Sequence, residues 1–230
     1  MINIFIDGID GTGKTTLIDN LVDRILTEPI VYEELSLFQF PSRMPEQHEK
    51  ASDLCRTMFH LQDFYEVMRE HRKQEDIRLF DRSFLSTLSY QGFNEGIEVN
   101  PRFESIARLG AECLLTSGHV SDTARQQIFI SVTADPEVAA SRVFKRTTDR
   151  VYDIEEIEDF DSVVDRLALL QERFEMCYQH CKMHLPQLFP EHSYRYIVVD
   201  STEKNPDEVF VEVMSKLEDF LAPPQLSLSV

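Results

Sequence analysis

Cysteine, glycine and positive charge are all scarce in this 230-residue sequence, and each shortage removes a class of protein. The four cysteines, Cys55, Cys113, Cys177 and Cys181, are too few and too irregularly spaced for the disulfide framework of a small secreted domain. A reducing compartment is expected. Lys and Arg number 23 against 41 Asp and Glu, a formal charge of −18. That balance excludes a duplex-binding face, which needs basic residues to neutralise phosphates. Any nucleotide must be met by a local cluster of Lys and Arg inside a repulsive field, while the remaining charge serves solubility. No run approaches the roughly 18 apolar residues of a membrane span. No basic-then-apolar leader precedes the first motif. These absences predict a cytoplasmic protein whose partners include neither membrane nor nucleic-acid polymer. Internal repeats are missing as well, and only the Pro- and Ser-containing tail 222–230 reads as flexible.

What is present begins at once. Ile2 to Ile6 is an apolar run, followed by Asp7-Gly8-Ile9-Asp10-Gly11-Thr12-Gly13-Lys14-Thr15-Thr16. Gly8, Gly13, Lys14 and Thr15 satisfy G-x-x-x-x-G-K-[ST], the phosphate-binding loop. The periodic Leu17, Ile18, Leu21, Val22, Ile25 and Leu26 follow as a helix. This context is what the motif requires, because a helix N-terminus aims backbone N–H groups at phosphate oxygens. The loop predicts binding of a nucleoside triphosphate by Gly8, Gly11, Gly13, Lys14, Thr15 and Thr16. Lys14 would span the β- and γ-phosphates, and the Thr15 hydroxyl would join the shell of Mg²⁺.

The rest of the chain alternates. Strands are expected at Ile2–Ile6, Glu34–Phe40, Ile77–Phe80, Gln127–Thr133 and Tyr194–Val199. Helices are expected at Thr15–Leu26, Lys50–Lys73, after Asp81, and at Pro136–Arg146, Ser162–His184 and Pro206–Leu221. The pattern predicts an α/β fold, a five-stranded parallel sheet with helices on both faces, forming one domain over residues 1–221. Ligands of such sheets sit at the carboxyl ends of the strands. Polar groups follow each strand there: the loop, Phe40-Pro41-Ser42-Arg43, Asp81-Arg82-Ser83, Asp135-Pro136 and Asp200-Ser201-Thr202. Cys177, His180, Cys181 and His184 share one helical face. A core stripe with histidines on its margin is the better reading than a zinc site.

The stretch Asp81-Arg82-Ser83-Phe84-Leu85-Ser86-Thr87-Leu88-Ser89-Tyr90-Gln91-Gly92 resembles the D-R-x-x-x-S-x-x-x-Y-Q-G segment of thymidylate kinases. The acidic-Gly-x-acidic form of the first loop, Phe40-Pro41-Ser42-Arg43, and the spacing of Arg142, Arg146, Asp149 and Arg150 resemble that family too. The resemblance implies a P-loop kinase fold with a helical lid near residues 142–155, and a homodimer that takes small nucleotides, ATP and Mg²⁺. Arg82 and Arg43 would grip the acceptor 5′-phosphate with forked contacts that Lys could not reproduce. Asp10 would hold the acceptor 3′-hydroxyl or organise Mg²⁺ through water. Tyr90 would pack on the deoxyribose, Phe59 would stack on the base, and Phe40 and Gln91 would complete the acceptor site. The loop carries Gly11 and Thr12 where some relatives place an arginine. A catalytic arginine must then come from Arg142, Arg146 or Arg150.

One position departs from the resemblance. Asp63 stands where the family carries a base-reading arginine. Arg donates, suiting a carbonyl edge, whereas ionised Asp only accepts, suiting an exocyclic amine. The acceptor is therefore dTMP, or a monophosphate with an amine-bearing or modified base, unless Gln62 or Gln91 reads the base. A deoxynucleoside kinase is the alternative, with Glu33 or Glu34 as general base. A nucleotide-binding protein without turnover ranks last. The acidic stretch 153–161 reads as a solvated connection or a partner of the lid arginines.

Overall fold

The computed structural model describes residues 2–27, 35–39, 53–70, 77–116, 126–149 and 159–221. The strands are β1 (Ile2–Asp7), β2 (Leu35–Gln39), β3 (Ile77–Asp81), β4 (Gln126–Thr133) and β5 (Ser193–Asp200). They form one parallel sheet in the order β2-β3-β1-β4-β5. The helices among the described residues are α1 (Lys14–Thr27), α2 (Asp53–Glu70), α3 (Phe84–Gln91), α4 (Phe103–Thr116), α5 (Pro136–Asp149), α6 (Phe160–Leu188) and α7 (Pro206–Leu221). No helix among them is long and apolar enough to cross a membrane.

Every residue of β1 is buried, as a central parallel strand covered on both faces demands. Ile2, Ile4 and Ile6 pack with Leu17 and Leu21 of α1 and Val213 and Leu217 of α7. Phe5 faces the opposite way, into a core with Phe84 of α3, Phe103 of α4 and Tyr178 of α6. Phe80, Phe5, Phe129 and Tyr196 stand at matched register positions and stack across four strands, with centroids 4.6, 4.9 and 5.4 Å apart. Aromatic cross-strand pairs of this kind fix register as well as adding buried area. Truncating Phe5 would cost about 3–5 kcal/mol. At the next matched position toward the carboxyl edge, the apolar ladder gives way to Asp7, which abuts the phosphate loop.

All five expected strands are present, and the described part of β2, Leu35–Gln39, lies within the expected range. Among the described residues the expected helices agree within a turn: the last turns of α5 and α6 run past Arg146 and His184, while the expected ends of Lys50–Lys73 lie outside the described residues. Helix α4 was not among the expectations. Its buried stripe, Phe103, Ile106, Ala107 and Ala111, has helical spacing, but alanines and Gly110 flatten the apolar contrast. Gly110 is there because a side chain would meet the Phe84 ring. Cys177, Tyr178, Cys181 and Leu185 are buried in the core as expected. None of the four cysteines, all of them described, is in a disulfide.

Candidate active site

The phosphate loop leaves the carboxyl end of β1 and enters α1, so its amides and the α1 N-terminus face one point. Gly8, Gly11 and Gly13 all have positive φ. At Gly11 φ is +84°, and an added Cβ would strike the backbone of Ala139 in α5. The Thr12 hydroxyl and the Lys14 ammonium both donate to the Ile9 carbonyl, at 2.9 and 2.7 Å. Lys14 is buried, and burial together with the Arg82 charge lowers its pKa to about 8. Thr15 is exposed at the helix start and Thr16 half-buried.

Arg82 crosses over from β3. It takes a left-handed backbone conformation, φ +77°, which costs a side-chain-bearing residue about 1–2 kcal/mol. Its N–H donates to Ile6 O at 3.0 Å, tying β3 to β1. Its guanidinium donates to Asp10 Oδ1 at 2.9 Å. Burial works against that positive charge, but Asp10, Tyr90, Asp7 and Asp81 outweigh it and hold the Arg82 pKa above its ordinary value. Burial and the Asp10 charge raise the Tyr90 pKa, and Arg82 pulls it back. The Tyr90 ring meets Phe174 edge-on at 6.3 Å. Asp10, Arg82 and Tyr90 thus form one cluster beside the phosphate loop. Because the Asp10 side chain is 51% exposed, its pair with Arg82 adds little stability. A phosphate arriving there can displace it.

On the far side of the loop lies a cavity of about 310 Å³. Gly11, Gly13, Thr16, Lys145, Arg146 and Lys204 contribute to its lining, with Pro206 and Val209 as an apolar wall. Arg142 is committed. Its guanidinium donates to Gly11 O at 3.3 Å, Ser201 Oγ at 3.1 Å, Ser201 O at 2.8 Å and Thr202 O at 3.4 Å. The Ser201 hydroxyl lies 2.9 Å from Thr12 O and 3.0 Å from Thr133 O. Arg142 therefore clamps the loop to the β5–α7 turn. Arg146, one turn along α5, is exposed and lines the same cavity.

The remaining expected residues divide. Phe40, Arg43 and Arg150 lie outside the described residues, as does most of the acidic stretch; its last residues, Asp159 to Asp161, cap and open α6. On α2, Phe59 and Asp63 are half-buried. Burial chiefly lowers the His60 pKa, with Asp63 opposing that shift, so the two side chains are neighbours. Gln62 is exposed and donates to Glu66 at 2.9 Å. Gln91 Oε1 is buried and meets no partner among the described residues. Asp135 and Asp200, expected as phosphate-facing polar groups, instead accept backbone N–H groups at the start of α5 and in the 200–202 turn. Among the described residues no group of three or more His, Cys, Asp or Glu could hold a metal unaided. Thr15 and Asp10 offer oxygen donors, which suit a hard divalent ion whose other ligands are phosphates.

A phosphate loop at the carboxyl edge of a 2-3-1-4-5 parallel sheet, with an arginine-bearing helix over its donor side, defines a P-loop nucleotide kinase. The family model of thymidylate kinase matches residues 6–182, and the chain belongs to that family. No curated protein matches its sequence. Solved structures share the fold at low identity. A thymidylate kinase from Ehrlichia chaffeensis is 20% identical, with 94% of this chain and 98% of that one covered and a TM-score of 0.53. One from Candida albicans is 16% identical over 95% and 91%, also at 0.53. A deoxyadenosine kinase from M. mycoides, with bound dATP, is 16% identical over 94% and 98%, at 0.57.

Asp7, like Lys145 and Lys204 of the cavity, is a site-proximal group that the sequence analysis did not single out. Its position beside Gly8 made it look like part of the loop motif alone, and the signal lay in pairing it with Ser83 and Ser86.

Proposed function

We propose that this protein transfers the γ-phosphoryl group of ATP to the 5′-phosphate of a deoxynucleoside monophosphate, converting dTMP to dTDP. The observation that carries the reading is the Asp10–Arg82 pair, held beside Tyr90 and next to the loop that receives the donor. Phosphoryl transfer asks the protein for alignment and charge compensation, not covalent chemistry. Lys14 would exchange the Ile9 carbonyl for the β- and γ-phosphates. Arg82 would exchange Asp10 for the acceptor phosphate with a bidentate fork. Asp10, so released, would accept the sugar 3′-hydroxyl. Mg²⁺ entering with ATP would be held by Thr15, with Asp10 reaching it through water, and would supply compensation of phosphate charge.

Arg142 is occupied by carbonyls, so Arg146 is the described lid residue that would meet charge on the moving phosphoryl group. Arg146→Ala should lower kcat about 10²-fold or more with little change in KM. Arg142→Ala should instead raise the KM for ATP. A cytoplasmic homodimer agrees with the family resemblance; sedimentation at twice the chain mass is the outcome that supports the dimer.

The functional test is a panel of nucleosides and nucleoside monophosphates incubated with Mg-ATP, scored for the phosphorylated form of each acceptor. Diphosphate from dTMP is expected. Product from nucleosides alone would make the protein a nucleoside kinase. Product chiefly from a cytosine or purine monophosphate would keep the mechanism and assign Asp63 to an exocyclic amine. Asp63→Arg should then shift preference toward thymine.

A further inference from the structure

Asp7 is 2% exposed and accepts three hydrogen bonds, two from Ser83, which caps α3, and one from Ser86 in the first turn of that helix. The Ser83 N–H donates to Oδ1 at 2.9 Å and the Ser83 hydroxyl to Oδ2 at 2.6 Å. The Ser86 hydroxyl donates to Oδ1 at 2.8 Å. Ser83 Oγ in turn accepts from Leu85 N–H and caps α3. The residue between this clamp and β3 is Arg82, the one described non-glycine residue with positive φ. A strained backbone persists only where its surroundings over-determine it. Here the two sides are visible: Arg82 N–H is fixed to Ile6 O, and Ser83 is fixed to Asp7. Ile6 and Asp7 are consecutive residues of β1, so one strand end grips both sides of the Arg82 peptide.

The purpose of such a grip follows from where the side chain goes. In an extended or right-handed helical conformation, the Cα–Cβ bond of residue 82 would point elsewhere. The left-handed conformation sends the guanidinium back over the phosphate loop to Asp10. Burying a carboxylate is costly, and burial does raise the Asp7 pKa, against the pull of Ser83 and Ser86. A merely structural turn could be closed without a buried charge. We propose that Asp7 is a positioning residue for the acceptor: through Ser83 it holds Arg82 in the left-handed conformation that aims its guanidinium into the acceptor-phosphate site. The role rests on the phosphate-acceptor reading above. It also sets the acceptor site and the donor loop in register, because Asp7 immediately precedes Gly8.

The test is Asp7→Asn, which keeps the shape but removes the oxygen that accepts from the Ser83 hydroxyl. Initial rates with dTMP and Mg-ATP, together with melting temperature, are measured for wild type, Asp7→Asn, Arg82→Met and the double variant. Asp7→Asn should raise the KM for dTMP about tenfold and leave the KM for ATP within about twofold. In the Arg82→Met background the same change should cost less than about twofold, because nothing remains to be positioned. Ser86→Ala, which deletes one donor and leaves the Ser83 clamp, should act in the same direction more weakly; it serves should Asp7→Asn not fold. Equal losses for dTMP and ATP, or the same loss with and without Arg82, would overturn the positioning role. So would a folded Asp7→Asn with unchanged kinetics. A wild-type protein that leaves dTMP unphosphorylated fails at the first measurement and removes the functional reading along with this one.

Discussion

Burial and the nearby Arg82 guanidinium lower the Lys14 pKa to about 8, although its charge is what a bound phosphate requires. In the unfolded chain the same lysine titrates near 10.5, so the folded state binds its proton less tightly. Stability without nucleotide should therefore rise as pH climbs from about 8 toward 10.5, and below 8 the full penalty is present. Its size is about 3 kcal/mol, from the shift converted at 1.36 kcal/mol per pH unit. Lys14→Met should raise the melting temperature at pH 7 by several degrees while abolishing ATP binding, measured by thermal denaturation and calorimetry. Nucleotide phosphates would restore the ammonium, so ATP binding near pH 8 should be coupled to proton uptake, and binding near pH 6, where Lys14 is already protonated, should not. Calorimetry in buffers of different ionisation enthalpy reads that uptake directly.

At the scale of elements, the phosphate loop packs against α5, the helix that bears Arg142 and Arg146. Gly11 lies against the Ala139 backbone, and Arg142 donates from the same helix to the Gly11 carbonyl. Gly11→Ala should cost about 2–4 kcal/mol through overpacking and positive φ, lowering the melting temperature by about 5–15 °C. It should also depress kcat, because α5 must move and Arg146 moves with it. The same contact explains why residue 11 is not an arginine: a side chain there has no room. The sequence showed the glycine but not what stood beside it. Strand positions were legible because parallel strands are short apolar runs, the loop because its own spacing is a phosphate-binding motif, and Arg82 and Tyr90 because their segment resembles that of thymidylate kinases. Helix α4 escaped because alanines and Gly110 weaken its stripe. The commitment of Arg142 to carbonyls was unreadable, since nothing in its spacing separates it from Arg146. The use of Asp135 and Asp200 as backbone acceptors was hidden for a similar reason: a carboxylate that follows a strand looks the same whether it serves a ligand or a turn.

For the whole molecule, the formal charge of −18 surrounds a site that gathers Lys14, Arg82, Arg142, Lys145, Arg146 and Lys204. Self-repulsion of the acidic body should relax with screening, so the melting temperature should rise between about 20 and 200 mM NaCl. A nucleic-acid binder of this size would show the opposite charge balance and lose its ligand over that range. The cationic cluster is small and local, fitting mononucleotides held one at each side of the loop. The central claim is that the acceptor side is built around a phosphate gripped by Arg82. Titration calorimetry of dTMP and of thymidine, on wild type and on Arg82→Met, measures that grip alone. The account predicts that the 5′-phosphate tightens binding about 10²-fold or more in wild type and that this advantage shrinks to a few-fold in Arg82→Met. Equal affinity of wild type for dTMP and thymidine, or a phosphate advantage that survives loss of Arg82, would contradict it.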